Sequence, residues 1–297
     1  MPRYRYRLVN VFADTTFGGN PLCVFEDARG LSDAQMHAIT RQFNLSETSF
    51  ILPSERASAT VRVFAPGHEM RFAGHPALGS AHVLRALRSS AGESAQNDHD
   101  ALTLLFQAGV VPLHAVGDIW RFAAPGAAAM PAPRLVDRVP AALAAGFGLT
   151  ADDLAAPPCW LDTGSEQMLV PLRSAAALRR AAPQPAWLDD WPANAQGRRG
   201  AYLFALDGER GGVAQIQARY FFVSPNGCAN EDPGTGSACA NLGAWCISQG
   251  HALPLRCSVE QGTAMGRPCH LQLEVDVERR IWVGGRVIEL GQGYLDL

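Results

Sequence analysis

The sequence contains no lysine, and all 25 of its basic residues are arginine. Without a lysine amino group, the chain cannot form a Schiff base with pyridoxal phosphate or with a carbonyl substrate. It also lacks the lysine that a P-loop uses to bind nucleotide phosphates. Three common classes of cofactor or substrate site are therefore excluded.

Cysteine is present, but not in a pattern that forms disulfides or binds metal. The count is seven, which is odd, and no Cys-x-x-Cys spacing occurs. This pattern argues against a disulfide framework and against a zinc site. Cys239 and Cys246 are seven residues apart on one predicted helix face, which is typical of core packing. We expect no bound metal and a reducing, cytoplasmic environment.

Long apolar runs and concentrated positive charge are absent as well. No stretch is long enough to span a bilayer, and the amino terminus leads into a strand pattern rather than a secretory signal. The net charge is -3, and the arginines are scattered along the chain. We therefore expect neither a nucleic-acid partner nor a membrane partner.

The first half of the chain alternates strand patterns with two helices. A capping box formed by Ser32 and Gln35 predicts a helix over residues 32–43, and Pro76 fits the first turn of a helix that continues to 87. A polar stretch at 89–100 predicts a loop, and residues 123–133 form the best linker candidate. Alternating or short apolar runs predict strands near 4–12, 22–25, 50–52, 60–64, 102–106 and 110–113.

The second half repeats this plan loosely. A helix rich in small residues is predicted over 236–249, with Gly250 as its carboxyl-terminal cap. A hairpin is predicted to pair 271–275 with 281–283, followed by another strand that ends near 290. The remaining predictions are a helix near 140–147 and strands near 168–172, 202–206 and 215–222.

Two tight turns each lead into a helix of small residues, one at 74–76 (Gly-His-Pro) and one at 232–236 (Asp-Pro-Gly-Thr-Gly). A helix start presents unpaired N–H groups and partial positive charge, and glycine lets a ligand approach the backbone closely. Two such starts that face each other would bind a carboxylate and stabilise charge developing beside it. Either turn alone is more often a simple tight turn, but both carry side chains suited to chemistry.

Four side chains near these turns are candidates for catalysis, and each has an ordinary alternative. His75 at a helix start is expected to be neutral and able to relay a proton. Asp232 and Ser237 are equally consistent with capping and first-turn positions. Glu47 alone would be interpreted as a surface carboxylate, but burial in an apolar cleft would raise its pKa and suit it to proton transfer.

At these residues the sequence resembles the PhzF-like proteins of phenazine biosynthesis. The matching segments occur in the family's order, cover nearly the whole chain and are highly specific as a set. They are residues 17–21 (Phe-Gly-Gly-Asn-Pro), 44–50 (Asn-Leu-Ser-Glu-Thr-Ser-Phe), 72–79 (Phe-Ala-Gly-His-Pro-Ala-Leu-Gly), 231–238 (Glu-Asp-Pro-Gly-Thr-Gly-Ser-Ala), 260–268 and 283–285.

The resemblance implies an α+β, diaminopimelate-epimerase-like fold. Two pseudo-symmetric domains would each wrap a curved, mostly antiparallel sheet around a central helix, with the active site between them. The expected domains are 1–122 and 123–286, with the last strand, about 287–297, as a candidate to pack back on the first domain. Family relatives are usually homodimers, so a homodimer is expected.

The resemblance also implies a reaction and a set of residues. The family's namesake isomerises trans-2,3-dihydro-3-hydroxyanthranilate without a cofactor, so we expect a small carboxylic acid as substrate and no cofactor. Glu47 matches the position of the acid/base glutamate, and His75, Asp232 and Ser237 match the assisting groups. The positions expected to bind substrate are Asn20, Gly74, Gly234, Thr235 and Gly236.

Two other functions remain open from the sequence. One is an epimerase or lyase that acts on an amino-acid-like carboxylate in the same cleft. The related two-thiol racemases place one cysteine in each loop, but here Cys228 precedes the second turn and Cys239 lies inside the helix. The other is a non-catalytic protein that binds a small acid, for which a proton-transfer set such as Glu47, His75 and Asp232 would have no use.

Overall fold

The computed structural model describes residues 1–90, 100–125, 132–224 and 226–297. The predicted polar loop at 89–100 and the linker at 123–133 fall mainly outside these ranges. The chain divides into two compact units, one formed by Met1–Pro125 with Val283–Leu297 and the other by Gly126–Trp282.

The elements of the two units follow one another along the chain. Those before the division are β1 (Arg3–Val11), β2 (Asn20–Phe25), α1 (Asp33–Phe43), β3 (Thr48–Leu52), β4 (Ala59–Ala65), β5 (His68–Met70), α2 (Gly74–Ser90), β6 (Ala101–Phe106), β7 (Gly109–Val116) and β8 (Ile119–Ala123). Those after it are β9 (Arg134–Leu135), α3 (Pro140–Gly146), β10 (Cys159–Asp162), β11 (Glu166–Leu172), α4 (Ala175–Arg180), β12 (Gly200–Arg210), β13 (Val213–Val223), β14 (Ala229–Asp232), α5 (Gly236–Ser248), β15 (Leu255–Gln261) and β16 (Cys269–Val275). The last strand, β17 (Ile281–Asp296), begins in the second unit and returns to the first.

The sheet of the first unit is mixed and closes on itself. Antiparallel pairs join β17 to β1, β1 to β2, β3 to β4, β6 to β7 and β7 to β8, while β2–β3 and β4–β6 are parallel. A pairing between β8 and β17 completes the ring. Helix α2 packs against β1, β2, β3, β4, β6 and β8. Its first half is buried, because small residues such as Gly79 let the strands approach: a Cβ there would lie 2.5 Å from Leu22.

Helix α1 begins where the sequence predicts. The Ser32 hydroxyl accepts a hydrogen bond from the Gln35 backbone N–H at 3.3 Å, and the Gln35 side chain accepts one from the Ser32 N–H at 2.9 Å. The helix ends at Asn44, whose φ of 53° is left-handed. Reciprocal capping of this kind satisfies N–H groups that the helix leaves unpaired.

The sheet of the second unit is mixed too. Its strand order is β9–β10–β11–β12–β13–β15–β16, with parallel pairs at β11–β12 and β13–β15, and β14 also pairs with β13. Helix α5 packs on β10, β11 and β16 and is buried over most of its length. Gly243 allows this approach, since a Cβ there would lie 2.8 Å from Ile281. Gly250 follows the helix with a φ of 77°, as its predicted capping role requires.

Each unit has its own aromatic core. In the first, Phe25 stacks on Phe50 at a centroid distance of 5.1 Å. In the second, Phe147 packs edge-on against Trp187 and Trp191, whose rings stack on each other at 5.4 Å. Rings at these separations add attraction to the area that they bury. Phe25 and Phe50 lie on β2 and β3, the strands that adjoin Asn20 and Glu47.

One prediction for the end of the chain is wrong. The sequence predicts a short strand over 281–283 and a separate strand ending near 290, but the structure has one strand of 16 residues, Ile281–Asp296. Two of its glycines have close neighbours: a Cβ on Gly284 would lie 2.6 Å from the Trp120 carbonyl oxygen, and one on Gly293 would lie 2.6 Å from the Tyr6 hydroxyl oxygen.

Candidate active site

Asn20 is fully buried at the first position of β2. It follows a tight loop in which Gly19 has a φ of 76° and leaves no room for a side chain, since a Cβ would lie 2.6 Å from both Ala13 and the Val11 carbonyl oxygen. The Asn20 Oδ1 atom accepts a hydrogen bond from the Ser46 hydroxyl at 3.4 Å. The glycine loop thus places an amide side chain inside the first unit.

His75 is the second residue of α2 and is buried. Its Nδ1 atom lies 3.4 Å from the Asn20 Nδ2 atom. Burial lowers the pKa of His75 to about 3, although a hydrogen bond with the Pro21 backbone acts in the opposite direction. The imidazole is therefore neutral near pH 7, and the cause is burial rather than the position at a helix start on which the sequence prediction rests.

Glu47 precedes β3 and lies next to His75. The Glu47 Oε2 atom is 3.4 Å from the His75 Nε2 atom, and the two side chains are 17% and 5% exposed. A carboxyl group and a neutral imidazole are both side chains of the kind that act as general acid or base. The structure thus brings together Asn20, Glu47 and His75, three of the four candidates in the first unit. The fourth, Gly74, is the first residue of α2 and is buried.

In the second unit, Asp232 and Thr235 form one hydrogen-bonded loop with Gln261. Asp232 is the last residue of β14, and its Oδ2 atom accepts a hydrogen bond from the Thr235 hydroxyl at 2.5 Å. The buried Gln261 side chain donates to the Asp232 carbonyl oxygen at 2.8 Å and accepts from the Thr235 N–H at 3.2 Å. The Asp232 carboxylate therefore binds the loop's own hydroxyl group.

Gly262 lets the neighbouring strand end pass close to this loop. Its φ is 78°, and a Cβ there would lie 2.5 Å from the Pro233 carbonyl oxygen and 2.4 Å from the Arg267 carbonyl oxygen. L-amino acids with side chains rarely adopt this conformation. Gly262 thus allows the loop and the end of β15 to lie in close contact.

Ser237 is the second residue of α5, and its hydroxyl oxygen accepts a hydrogen bond from Gln167 at 2.9 Å. Gly234 and Gly236, the other predicted binding positions here, are buried beside it. The first N–H groups of a helix have no partners within the helix and suit an anion. The second unit therefore offers a hydroxyl group and a helix start, while Glu47 and His75 belong to the first.

Sequence reasoning did not identify three side chains that support these candidates, namely Gln167, Asn241 and Gln261. All three are buried. Gln167 and Gln261 hydrogen-bond to the candidates Ser237 and Asp232, and Asn241 hydrogen-bonds to Gln167. Gln261 lies in one of the matching family segments, and Asn241 follows Ser237 by one helical turn, so both had a weak signal in the sequence. Gln167 had none, because its partners are 70 and 74 residues away.

The cysteines offer no pair of reactive thiols among the described residues. Cys228 is exposed, and the other six are buried. Burial raises the pKa of Cys239 well above its usual range and that of Cys246 to about 12. A thiolate is the reactive form of cysteine, so these buried groups are poor acids and bases.

The described parts of the chain contain no group of three or more histidine, cysteine, aspartate or glutamate side chains placed to hold a metal ion. No helix in those parts has both the length and the apolar character needed to cross a membrane.

Comparison with known proteins identifies the family. The family model described as "Phenazine biosynthesis-like protein" matches residues 9–293, and the chain belongs to this family. An uncharacterized isomerase of Pasteurella multocida is 40% identical over 294 residues, covering 98% of this chain and 94% of the relative. The trans-2,3-dihydro-3-hydroxyanthranilate isomerase of Pseudomonas aeruginosa is 31% identical over 272 residues, covering 90% and 89%. These relatives support an isomerase.

A solved structure supports the fold independently of close sequence likeness. A Bacillus anthracis phenazine biosynthesis protein of the PhzF family matches with a TM-score of 0.80 at 24% identity, covering 100% of both chains. At this identity the likeness concerns the fold alone. The mixed sheets with few helices are therefore a fold that this chain shares with a solved structure of the family.

Proposed function

We propose that this protein is an isomerase that moves a proton between two carbons of a small unsaturated or cyclic carboxylic acid. The observation that carries the proposal is the 3.4 Å approach of Glu47 and His75 in a largely buried position. The substrate that we propose first is trans-2,3-dihydro-3-hydroxyanthranilate, because a relative of 31% identity is named as the isomerase of this compound. The reaction needs no cofactor, because a carboxylate can both take and return the proton.

In the proposed reaction, Glu47 acts as general base and then as general acid. Its carboxylate takes a proton from one carbon, and the electrons of that C–H bond form a new double bond. The existing double bond shifts, and its far carbon receives the proton back from the Glu47 carboxyl group. A positioned acid/base of this kind contributes about 10²- to 10⁴-fold to the rate. The neutral His75 ring orients the carboxyl group and shares protons with it.

The loop of the second unit supplies the groups that bind the substrate's polar atoms in this proposal. The Ser237 hydroxyl and the N–H groups around Gly234 and Gly236 bind its carboxylate, which the helix start favours. Asp232 and Thr235 orient the remaining polar groups. In the first unit, Asn20 and the Gly74 backbone complete the set, Asn20 through its contact with His75.

We also infer that the two units are pseudo-symmetric halves of a diaminopimelate-epimerase-like fold. Helices α2 and α5 support this inference, because both follow a tight turn, consist largely of small residues and are buried against strands of their own unit. In each helix a glycine, Gly79 or Gly243, meets a side chain at less than 3 Å from its ideal Cβ position. Such contacts would recur if each half enclosed one helix.

The proposal is tested by solvent exchange. The protein is incubated in D2O with trans-2,3-dihydro-3-hydroxyanthranilate and with a panel of small unsaturated acids and amino acids, and deuterium at carbon is followed by NMR. We expect uptake with a shift of the double bond, and at least a hundredfold loss of rate in Glu47→Gln. Glu55→Gln, which changes an exposed carboxylate eight residues away, is the matched control.

Each outcome discriminates among the functions considered. Uptake with an unmoved double bond and an inverted centre would indicate an epimerase instead. Binding without any exchange would indicate a non-catalytic protein. Exchange that persists in Glu47→Gln would remove Glu47 from the acid/base role.

A further inference from the structure

A row of buried polar side chains leads from the turn between β10 and β11 to Ser237. Its members are Thr163 in that turn, Asn241 in α5 and Gln167 in β11, and all three are buried. A buried amide is costly unless its donors and acceptors find partners, so the direction of each hydrogen bond in the row matters.

The orientation of the Asn241 amide is fixed by the backbone. The Thr163 N–H donates to the Asn241 Oδ1 atom at 2.8 Å, and the Asn241 Nδ2 atom donates to the Ser165 carbonyl oxygen at 2.9 Å. A backbone N–H can only donate and a carbonyl oxygen can only accept. The opposite orientation of the amide would therefore break both bonds.

Asn241 fixes Gln167 in turn, and Gln167 fixes Ser237. The Asn241 Nδ2 atom also donates to the Gln167 Oε1 atom, which places the Gln167 Nε2 atom toward Ser237. That nitrogen donates to the Ser237 Oγ atom at 2.9 Å and to the Ser165 Oγ atom at 3.2 Å. An NH2 group has no lone pair to accept with. The Ser237 hydroxyl is thus an acceptor in this bond, and its own hydrogen is left to donate elsewhere.

We propose that Asn241 and Gln167 are positioning residues that fix Ser237 as a hydrogen-bond donor, so that the substrate group it binds is an acceptor oxygen of a carboxylate. The proposal rests on the proposed function only in taking Ser237 as a substrate-binding residue. A hydroxyl hydrogen that is held free to donate binds an acceptor oxygen, and its bond to a charged carboxylate oxygen is stronger than its bond to the neutral oxygen of an amide of the same shape. Gln167 and Asn241 act through Ser237 and touch no substrate.

Two substitutions reverse the direction of the row without changing its shape. In Asn241→Asp the new carboxylate still accepts from the Thr163 N–H but cannot donate to Gln167. Gln167 must then turn its nitrogen toward position 241 and its oxygen toward Ser237. The Ser237 hydroxyl would donate its hydrogen to that oxygen and could no longer donate it to the substrate. Gln167→Glu has the same effect directly. Gln215→Glu is the matched control, because Gln215 also donates to a backbone carbonyl, that of Val213 at 2.9 Å.

Titration calorimetry with anthranilate and with its neutral carboxamide tests the direction of the hydrogen bonds in this row. We expect the unchanged protein and Gln215→Glu to prefer the acid by about tenfold or more, as a hydrogen bond to a charged group gives. Asn241→Asp and Gln167→Glu should lose that preference. Asn241→Asp should regain it as the pH falls and its carboxyl group becomes able to donate. Equal binding of acid and amide by the unchanged protein, or no binding of the acid, overturns the proposal.

A neutron structure of the unchanged protein after exchange into D2O gives a readout that requires no variant to fold. The two Gln167 amide deuterons should be directed at the hydroxyl oxygens of Ser237 and Ser165, and the Ser237 deuteron should point away from Gln167. A Ser237 deuteron directed at Gln167 contradicts the proposal. A protein with the expected orientation and acid preference, but without Glu47-dependent exchange, would retain this inference and lose the isomerase function.

Discussion

The His75 Nε2 atom lies 3.4 Å from the Glu47 Oε2 atom, although burial keeps the imidazole uncharged. The distance would suit an ion pair, but a histidine whose pKa is lowered to about 3 carries no proton to spare near neutral pH. Desolvation of the ring outweighs the nearby carboxyl group, because His75 is buried and that group lies at the limit of contact. At neutral pH the pair is therefore a carboxyl group beside an uncharged ring and not an ion pair.

The neutral state of His75 can be measured directly. We expect the ring nitrogens of His75 to show the ¹⁵N shifts of one fixed tautomer from pH 8 down to pH 4.5, because its pKa is lowered to about 3. Long-range ¹H–¹⁵N correlation spectra, assigned with His75→Gln, provide the measurement. An imidazolium signal from His75 at pH 6 would refute the expectation.

The same shift makes stability depend on pH. The folded pKa of His75 lies below its ordinary value of 6.5, so the unfolded chain binds a proton that the folded chain does not. The corresponding stability is present above about pH 6.5 and is lost as the pH falls toward 3, by up to about 1.4 kcal/mol per pH unit. Urea unfolding between pH 4.5 and 7.5 should show a shallower slope in His75→Gln. Some slope should remain, because burial also lowers the pKa of His82. Identical slopes in the two proteins would count against this account.

Gly284 and Gly291 lie in the same strand but tolerate substitution differently. A Cβ on Gly284 would lie 2.6 Å from the backbone oxygen of Trp120, while a Cβ on Gly291 meets nothing within 4 Å. Backbone atoms cannot give way as a flexible side chain can. We expect Gly284→Ala to lower the free energy of unfolding by about 1–3 kcal/mol and Gly291→Ala to change it by less than about 0.5 kcal/mol. Chemical denaturation of both variants tests this, and equal effects would be inconsistent with the close approach.

Thiol labelling tests whether cysteine takes part in the reaction. Cys228 is exposed, whereas burial raises the pKa of Cys159 and of Cys257 to about 11. Iodoacetamide at pH 8 should therefore modify Cys228 and leave the other thiols intact in the folded protein. Deuterium exchange into substrate should continue after labelling and in Cys228→Ser. Inhibition that follows modification of a buried cysteine would favour thiol chemistry over Glu47.

Local signals in the sequence predicted the elements with strong end markers. The capping box at Ser32 gave helix α1 nearly to the residue, and Gly250 marked the end of α5. Helix α4 was missed, because it spans only six residues and its buried face consists of Ala177 and Leu178. Strand β17 was divided in two, because a glycine in a sequence suggests a turn unless its neighbours in space are known.

The candidate site shows the same division between local and distant information. Glu47 and His75 each have an ordinary alternative role, and they became candidates because they lie in segments that match a known family. Gln167 and Asn241 are uncharged amides whose hydrogen-bonding partners lie 70 to 78 residues away. Only the folded chain shows that they are buried and in which direction they donate. The supporting residues of a site are therefore harder to infer than the reacting ones.

Strand β17 has a consequence for the order in which the protein can form. It pairs with β1 from Arg3 opposite Asp296 onward, and the Leu297 N–H donates to the Pro2 carbonyl oxygen at 3.0 Å. A ribosome makes β1 first and β17 last, so the ring of strands in the first unit stays open until residues 283–297 have emerged. The continuous second unit has most of its strands available earlier. During synthesis, the edges of β1 and β8 that later pair with β17 have no partner strand. The first unit is therefore the part most exposed to mispairing and to chaperones.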